Sequence, residues 1–66
     1  MKHRKKGNRL FLMRKAKGYT ILRLAEETGL SPGYISDLER GKKVNPTKQV
    51  MDKIAEKLQV KREEIF

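Results

Sequence analysis

Apolar residues along this chain recur at helical spacing and not in alternation. The clearest stripe is Ile21, Leu24, Ala25 and Thr28, at i, i+3, i+4 and i+7, the period of a helix that buries one face. A second stripe runs through Tyr34, Ile35 and Leu38, and a third through Val50, Met51, Ile54, Ala55 and Leu58. Leu10, Phe11, Met13 and Arg14 open a shorter segment that Lys17-Gly18 closes. Gln59-Val60 breaks the third stripe, and Lys61 to Phe66 fits a short last helix or a strand. Elsewhere alternation never lasts long enough for β-pairing.

The polar punctuation agrees with these stripes. Thr20 and Ser31 precede apolar runs, where a hydroxyl can accept one of the free backbone N–H groups of a first helical turn. Pro32 follows Ser31 at the one helical position that needs no N–H. Gly18, Gly29 and Gly41 stand just past the ends of helical stretches, the place of a left-handed residue. Residues 42–46 read as a loop, and Thr47 starts the fourth helix. The pattern therefore predicts an all-α fold of five short helices around one core. Leu10, Met13, Tyr19, Leu24, Leu30, Ile35, Leu38, Val50, Ile54 and Leu58 are its expected core residues.

Composition narrows the function. The 66 residues carry 17 Lys+Arg against 8 Asp+Glu, a formal net charge of +9. Residues 1–18 hold eight basic groups and no acid, while 19–41 sum to −2 and 42–66 to +3. Positive charge flanking a near-neutral middle suits a polyanionic partner such as nucleic acid. Residues 1–7 read as a basic arm, mobile because no apolar residue anchors His3-Arg4-Lys5-Lys6, and able to lie in a minor groove or along phosphates. Residues 8–66 read as the folded domain. Cysteine is absent and His3 is the single histidine, so thiolate and multi-histidine metal sites are not expected. No carboxylate cluster or glycine-rich phosphate loop suggests an enzyme. No apolar run suits a membrane span or a secretory signal, and the expected location is the cytoplasm, at the nucleoid. No cofactor is expected.

Residues 20–41 carry the sharpest signal. Two helices of about eight residues flank Thr28-Gly29-Leu30-Ser31. Ala25 is small where the helices must cross, Gly29 supplies positive φ in the turn, and Leu30, Ile35 and Leu38 fill the space between. That combination is what a helix-turn-helix requires.

The stretch Leu24-Ala25-Glu26-Glu27-Thr28-Gly29-Leu30-Ser31, followed by Tyr34-Ile35-Ser36-Asp37-Leu38-Glu39-Arg40-Gly41, resembles the XRE family of phage Cro- and repressor-like helix-turn-helix regulators. Arg14, Asn45-Pro46 and Ile54-Ala55-Glu56-Lys57-Leu58 extend the likeness over residues 8–65. The resemblance implies a phage-repressor-like DNA-binding domain, sequence-specific binding of double-stranded DNA, transcriptional regulation of repressor type, and a homodimer on a palindromic operator. The third helix is then the recognition helix, with Ser31, Pro32, Gly33, Tyr34, Ser36 and Asp37 facing DNA. Thr20 meets the backbone, and the loop after the third helix supplies Arg40, Lys42, Lys43, Asn45 and Thr47 as phosphate contacts. Arg14 and Glu39 match a structural pair of the family that fixes the end of the recognition helix. Val60, Ile65 and Phe66 fall where such proteins dimerise, and apolar residues exposed at a chain end would suit that role.

Two positions depart from the family pattern. Pro32 and Gly33 replace residues that often carry hydrogen-bonding side chains, so neither can read a base in bidentate fashion. Ile21 replaces a frequent Gln that clamps a phosphate. Asp37 can accept from a cytosine amino group or pair with Arg40 three residues on. Tyr34 can reach a phosphate or pack its ring on the second helix. Beside a regulator, the same fold serves an antitoxin that binds a toxin and its own promoter, so a protein partner such as a toxin or an antirepressor stays open, as does a nonspecific or RNA-binding protein.

Overall fold

The computed structural model describes residues 9–42 and 45–66; the basic arm, Lys43 and Val44 lie outside the described residues. Among the described residues five α-helices follow one another: α1 (Leu10–Ala16), α2 (Ile21–Thr28), α3 (Pro32–Arg40), α4 (Lys48–Leu58) and α5 (Arg62–Ile65). The C-terminal segment is helical, which settles the choice between helix and strand.

The starts of α2, α3 and α4 are set by hydroxyl caps. Thr20 accepts from the Arg23 N–H at 3.0 Å, Ser31 from Tyr34 at 3.1 Å, and Thr47 from Val50 at 3.1 Å. Each capping residue is itself extended, so the helix begins at the residue after it. The stops are left-handed residues. Gly29 ends α2 with φ 78°, and Gln59 ends α4 with φ 59°. Gln59 adopts that conformation without glycine's freedom, which costs on the order of 1 kcal/mol. The Val60 N–H bonds the Ala55 carbonyl at 3.0 Å and helps hold the turn.

The helices bury one stripe each. Leu10, Leu24, Ala25, Ile35, Leu38, Ile54, Ala55, Leu58 and Ile65 form the core. Met13, Tyr19, Leu30 and Val50, expected in the core, are partly buried and pack against it from its edge. α2 is the central element, packed on both α3 and α4, while α1 meets α3 and α5 meets α4. Thr28 is buried at the end of α2, and its hydroxyl donates to the Leu24 carbonyl at 2.7 Å. That bond satisfies a polar group beside the tight turn, as burial requires.

Ile65 corrects an expectation. It is only 1% exposed and sits in the core of this one chain, so it is not the exposed apolar residue the sequence suggested. The physical reason is that the start of α1 and the end of α5 are tied together. The Arg9 N–H bonds the Ile65 carbonyl at 2.8 Å, and Arg62 pairs with Asp52 on α4 at 2.8 Å, pulling α5 onto the core. Val60 and Phe66 are partly buried against the same core.

Candidate nucleic-acid interface

Gly29, Leu30 and Ser31 turn the chain from α2 into α3, so that α3 lies across α2 with its far side outward. Ile35 and Leu38 point into the core, and Gly33, Asp37 and Arg40, at i, i+4 and i+7, lie on the opposite side. Ser31, Pro32, Gly33 and Arg40 are exposed, and Tyr34, Ser36 and Asp37 are half-buried. This face is short and polar. The exposed large apolar residues of the described chain, Phe11, Leu12 and Leu22, lie on α1 and α2 instead.

The end of α3 is fixed from α1. Arg14 reaches Glu39 with Nε at 2.5 Å from Oε2 and Nη2 at 3.1 Å from Oε1. Its Nη1 donates to the Tyr19 carbonyl at 2.9 Å. The two side chains are 8% and 7% exposed. A fork-to-fork pair of this kind sets orientation as well as distance, so α3 cannot roll relative to α1 without stranding both charges.

Thr20, Ser31 and Thr47 share one feature. Each hydroxyl oxygen accepts an N–H of its own helix while its own proton stays free to donate outward, and all three residues are exposed. Lys42 and Asn45, after α3, are exposed as well; Lys43 lies outside the described residues. The Lys42 N–H bonds the Asp37 carbonyl at 3.0 Å, which folds the chain back at the end of α3. Tyr34 packs partly against the core, with its N–H taken by Ser31.

Asp37 does not pair with Arg40. Among the described residues the ion pairs are Arg14–Glu39, Arg23–Glu27 and Arg62–Asp52. Ile21, standing where the family often has a phosphate-clamping Gln, packs against the core. No group of three His, Asp or Glu side chains among the described residues is arranged to hold a metal ion.

One cluster was not anticipated. The Tyr19 hydroxyl donates to the Lys57 carbonyl at 3.3 Å and lies 3.2 Å from Glu27 Oε1, and the Arg23 guanidinium stacks 4.5 Å from the Tyr19 ring centre. Arg23 also bonds Glu27 at 3.2 Å. The hydrogen bond from Arg23 holds the Glu27 carboxyl below its ordinary range, helped by the Tyr19 hydroxyl and by the charges of Arg23 and Lys57. The Arg23–Glu27 spacing of i, i+4 was a readable signal; the tie to α4 was not.

The profile of the helix-turn-helix family matches residues 10–65. The transcriptional regulator SlrR of Bacillus subtilis is 43% identical over 60 residues, covering 91% of this chain and 40% of SlrR. SinR of Bacillus subtilis, also a transcriptional regulator, is 39% identical over 54 residues, 82% of this chain and 49% of SinR. The chain thus spans less than half the length of these curated relatives. A crystal structure of SinR, the master regulator for biofilm formation, in complex with DNA superposes with a TM-score of 0.77 at 36% identity, covering 83% of this chain and 87% of that one. The restriction-modification controller protein C.AhdI of Aeromonas hydrophila gives 0.80 at 34% identity, covering 88% and 86%. The chain belongs to the helix-turn-helix family, in its XRE, Cro- and repressor-like branch.

Proposed function

We propose that this chain binds double-stranded DNA sequence-specifically through α3 in the major groove and regulates transcription, as a repressor. One observation carries the reading. The short polar face of α3 is turned outward by the Gly29 turn, and its far end is locked by the bidentate Arg14–Glu39 pair. A helix so held can enter a groove about 12 Å wide in one orientation. The relative SinR, solved with DNA, supports it.

Two kinds of contact divide the work. The free hydroxyl protons of Thr20 and Thr47, the N-terminal amides of α2, and Lys42, Lys43, Asn45 and Arg40 bind phosphates. Ser31, Pro32, Gly33, Tyr34, Ser36 and Asp37 face bases. Pro32 and Gly33 contribute no side-chain hydrogen bond, so DNA shape and apolar contact carry more of the specificity. About six phosphate contacts per half-site contribute about −5 per half-site to the slope of log K against log salt.

The chain acts as a homodimer on a palindromic operator, with half-sites roughly 34 Å apart. Val60 and Phe66, near the tie between the start of α1 and the end of α5, are the residues available to a second copy. Binding requires no cofactor and no catalysis, and it takes place on the nucleoid in the cytoplasm. The relatives named above are regulators and a controller protein, which does not favour the antitoxin reading.

Selection from a random duplex library at low and near-physiological salt tests the proposal. Enrichment of a palindromic motif at the higher salt is expected. Binding that fades with salt and enriches nothing would overturn it and point to a nonspecific or RNA-binding protein.

A further inference from the structure

The outward face of α3 carries one carboxylate, Asp37. Asp37 is spaced to pair with Arg40, yet no ion pair among the described residues engages it. Its backbone carbonyl is taken by Lys42, and its side chain remains available. Asp37 stands one turn after Gly33 and shares its helix face, and helical side chains lean toward the preceding turn. At Gly33 a Cβ would meet nothing within 4 Å. An acceptor-only group therefore stands one turn from open space on the face opposite Ile35 and Leu38.

We infer that Asp37 is a base-selecting residue of this chain and that it requires a cytosine, whose amino group enters the open space beside Gly33. The inference rests on the DNA-binding reading above. A carboxylate among phosphates is repelled unless a donor reaches it. In the major groove guanine offers only the acceptors N7 and O6, and thymine offers O4 and a methyl group. Adenine places its N7 acceptor beside the N6 donor, so a carboxylate gains one contact and loses another. Cytosine presents its N4 donor with no acceptor of its own alongside. Gly33 matters because a longer side chain there would fill the space the base edge needs. The absent bidentate reader at that position is in this sense the other half of the Asp37 site.

Duplex selection with the wild type, Asp37→Asn and Asp37→Ala tests this. The wild-type motif should hold one fixed cytosine per half-site, and replacing it should weaken binding about tenfold. Asn carries both a donor and an acceptor and matches adenine N6 and N7, so D37N should move that position from C to A with the rest of the motif unchanged. D37A should lose the preference there alone. A wild-type motif in which D37N and D37A select the same base would overturn the inference and leave the DNA-binding reading standing. No motif from the wild type would overturn both. Circular dichroism checks that each variant is folded. Should neither fold, a wild-type motif without a fixed cytosine still overturns the inference.

Discussion

Two arginine–carboxylate pairs hold different parts of this chain. Arg14 and Glu39 join α1 to the end of α3 with side chains 8% and 7% exposed. Arg23 and Glu27 join consecutive turns of α2 with side chains 58% and 36% exposed. The first pair makes two contacts, and its arginine makes a third to the Tyr19 carbonyl. The second makes one contact at 3.2 Å and leans on the Tyr19 ring. Both pairs meet at Tyr19, one at its carbonyl and the other at its ring and hydroxyl. The chemistry is alike, and the consequences differ because water competes for only one of them. Removing a partner from the inner pair leaves a buried charge, whereas water replaces either partner of the outer pair.

The largest effect is expected from breaking the inner pair on one side. Glu39→Ala should cost about 3 kcal/mol, a fall in Tm of about 15 °C for a domain of this size, read by thermal denaturation. It should also weaken DNA binding at temperatures where the variant is fully folded, since α3 loses its fixed end. Equal affinity for the same duplex would remove Arg14–Glu39 from the DNA-binding argument and leave it a stability device.

Gly33→Ala sharpens the contrast between holding α3 and presenting it. The site is open and the backbone is ordinary helix, so the methyl group fits and helix propensity improves by up to about 0.5–1 kcal/mol. A higher Tm is expected, together with weaker discrimination at the base opposite Asp37. A lower Tm would mean that the space over Gly33 is not free.

The outer pair should give the smallest effect. Arg23→Ala is expected to shift Tm far less than Glu39→Ala, and moderate salt should erase the shift. Glu27 also sets a pH dependence. Its carboxyl is held low, chiefly by the Arg23 hydrogen bond. Its contribution to stability is therefore present above the unfolded carboxylate range and lost as pH falls through the lowered folded value. The Tm advantage of the wild type over Glu27→Gln should shrink on acidification below the ordinary carboxylate range. An advantage that grows in acid would contradict this.

Much of the architecture is legible from local chemistry. Thr20, Ser31 and Thr47 announce helix starts because capping needs only a hydroxyl and the amide three residues on. Gly29 announces the turn because few other residues adopt φ near 78° without strain. What depends on distant partners is not legible. Ile65 looks like an exposed chain end until the Arg9 N–H finds its carbonyl. Tyr19 looks like simple core until the end of α4 comes within reach of its hydroxyl. Asp37 looks like half of an i, i+3 pair, and only the folded arrangement shows that Arg40 does not engage it. The surface of α1 is the reverse case. Phe11 reads as a helix-building apolar residue, yet it and its neighbour Leu12 are 48% and 63% exposed, because α1 has a single stripe to bury and Leu10 and Arg14 occupy it.

Two outward faces therefore compete for the role of nucleic-acid surface: α3, polar and fixed from behind, and α1, cationic with exposed Phe11 and Leu12. Titration of the isotope-labelled chain with its selected duplex, followed through backbone amide resonances, decides between them. The expected result is that shifts concentrate at Thr20, Ser31, Gly33 to Asp37, Lys42, Asn45 and Thr47. Shifts concentrated around Phe11 and Leu12, with α3 unmoved, would contradict recognition by α3.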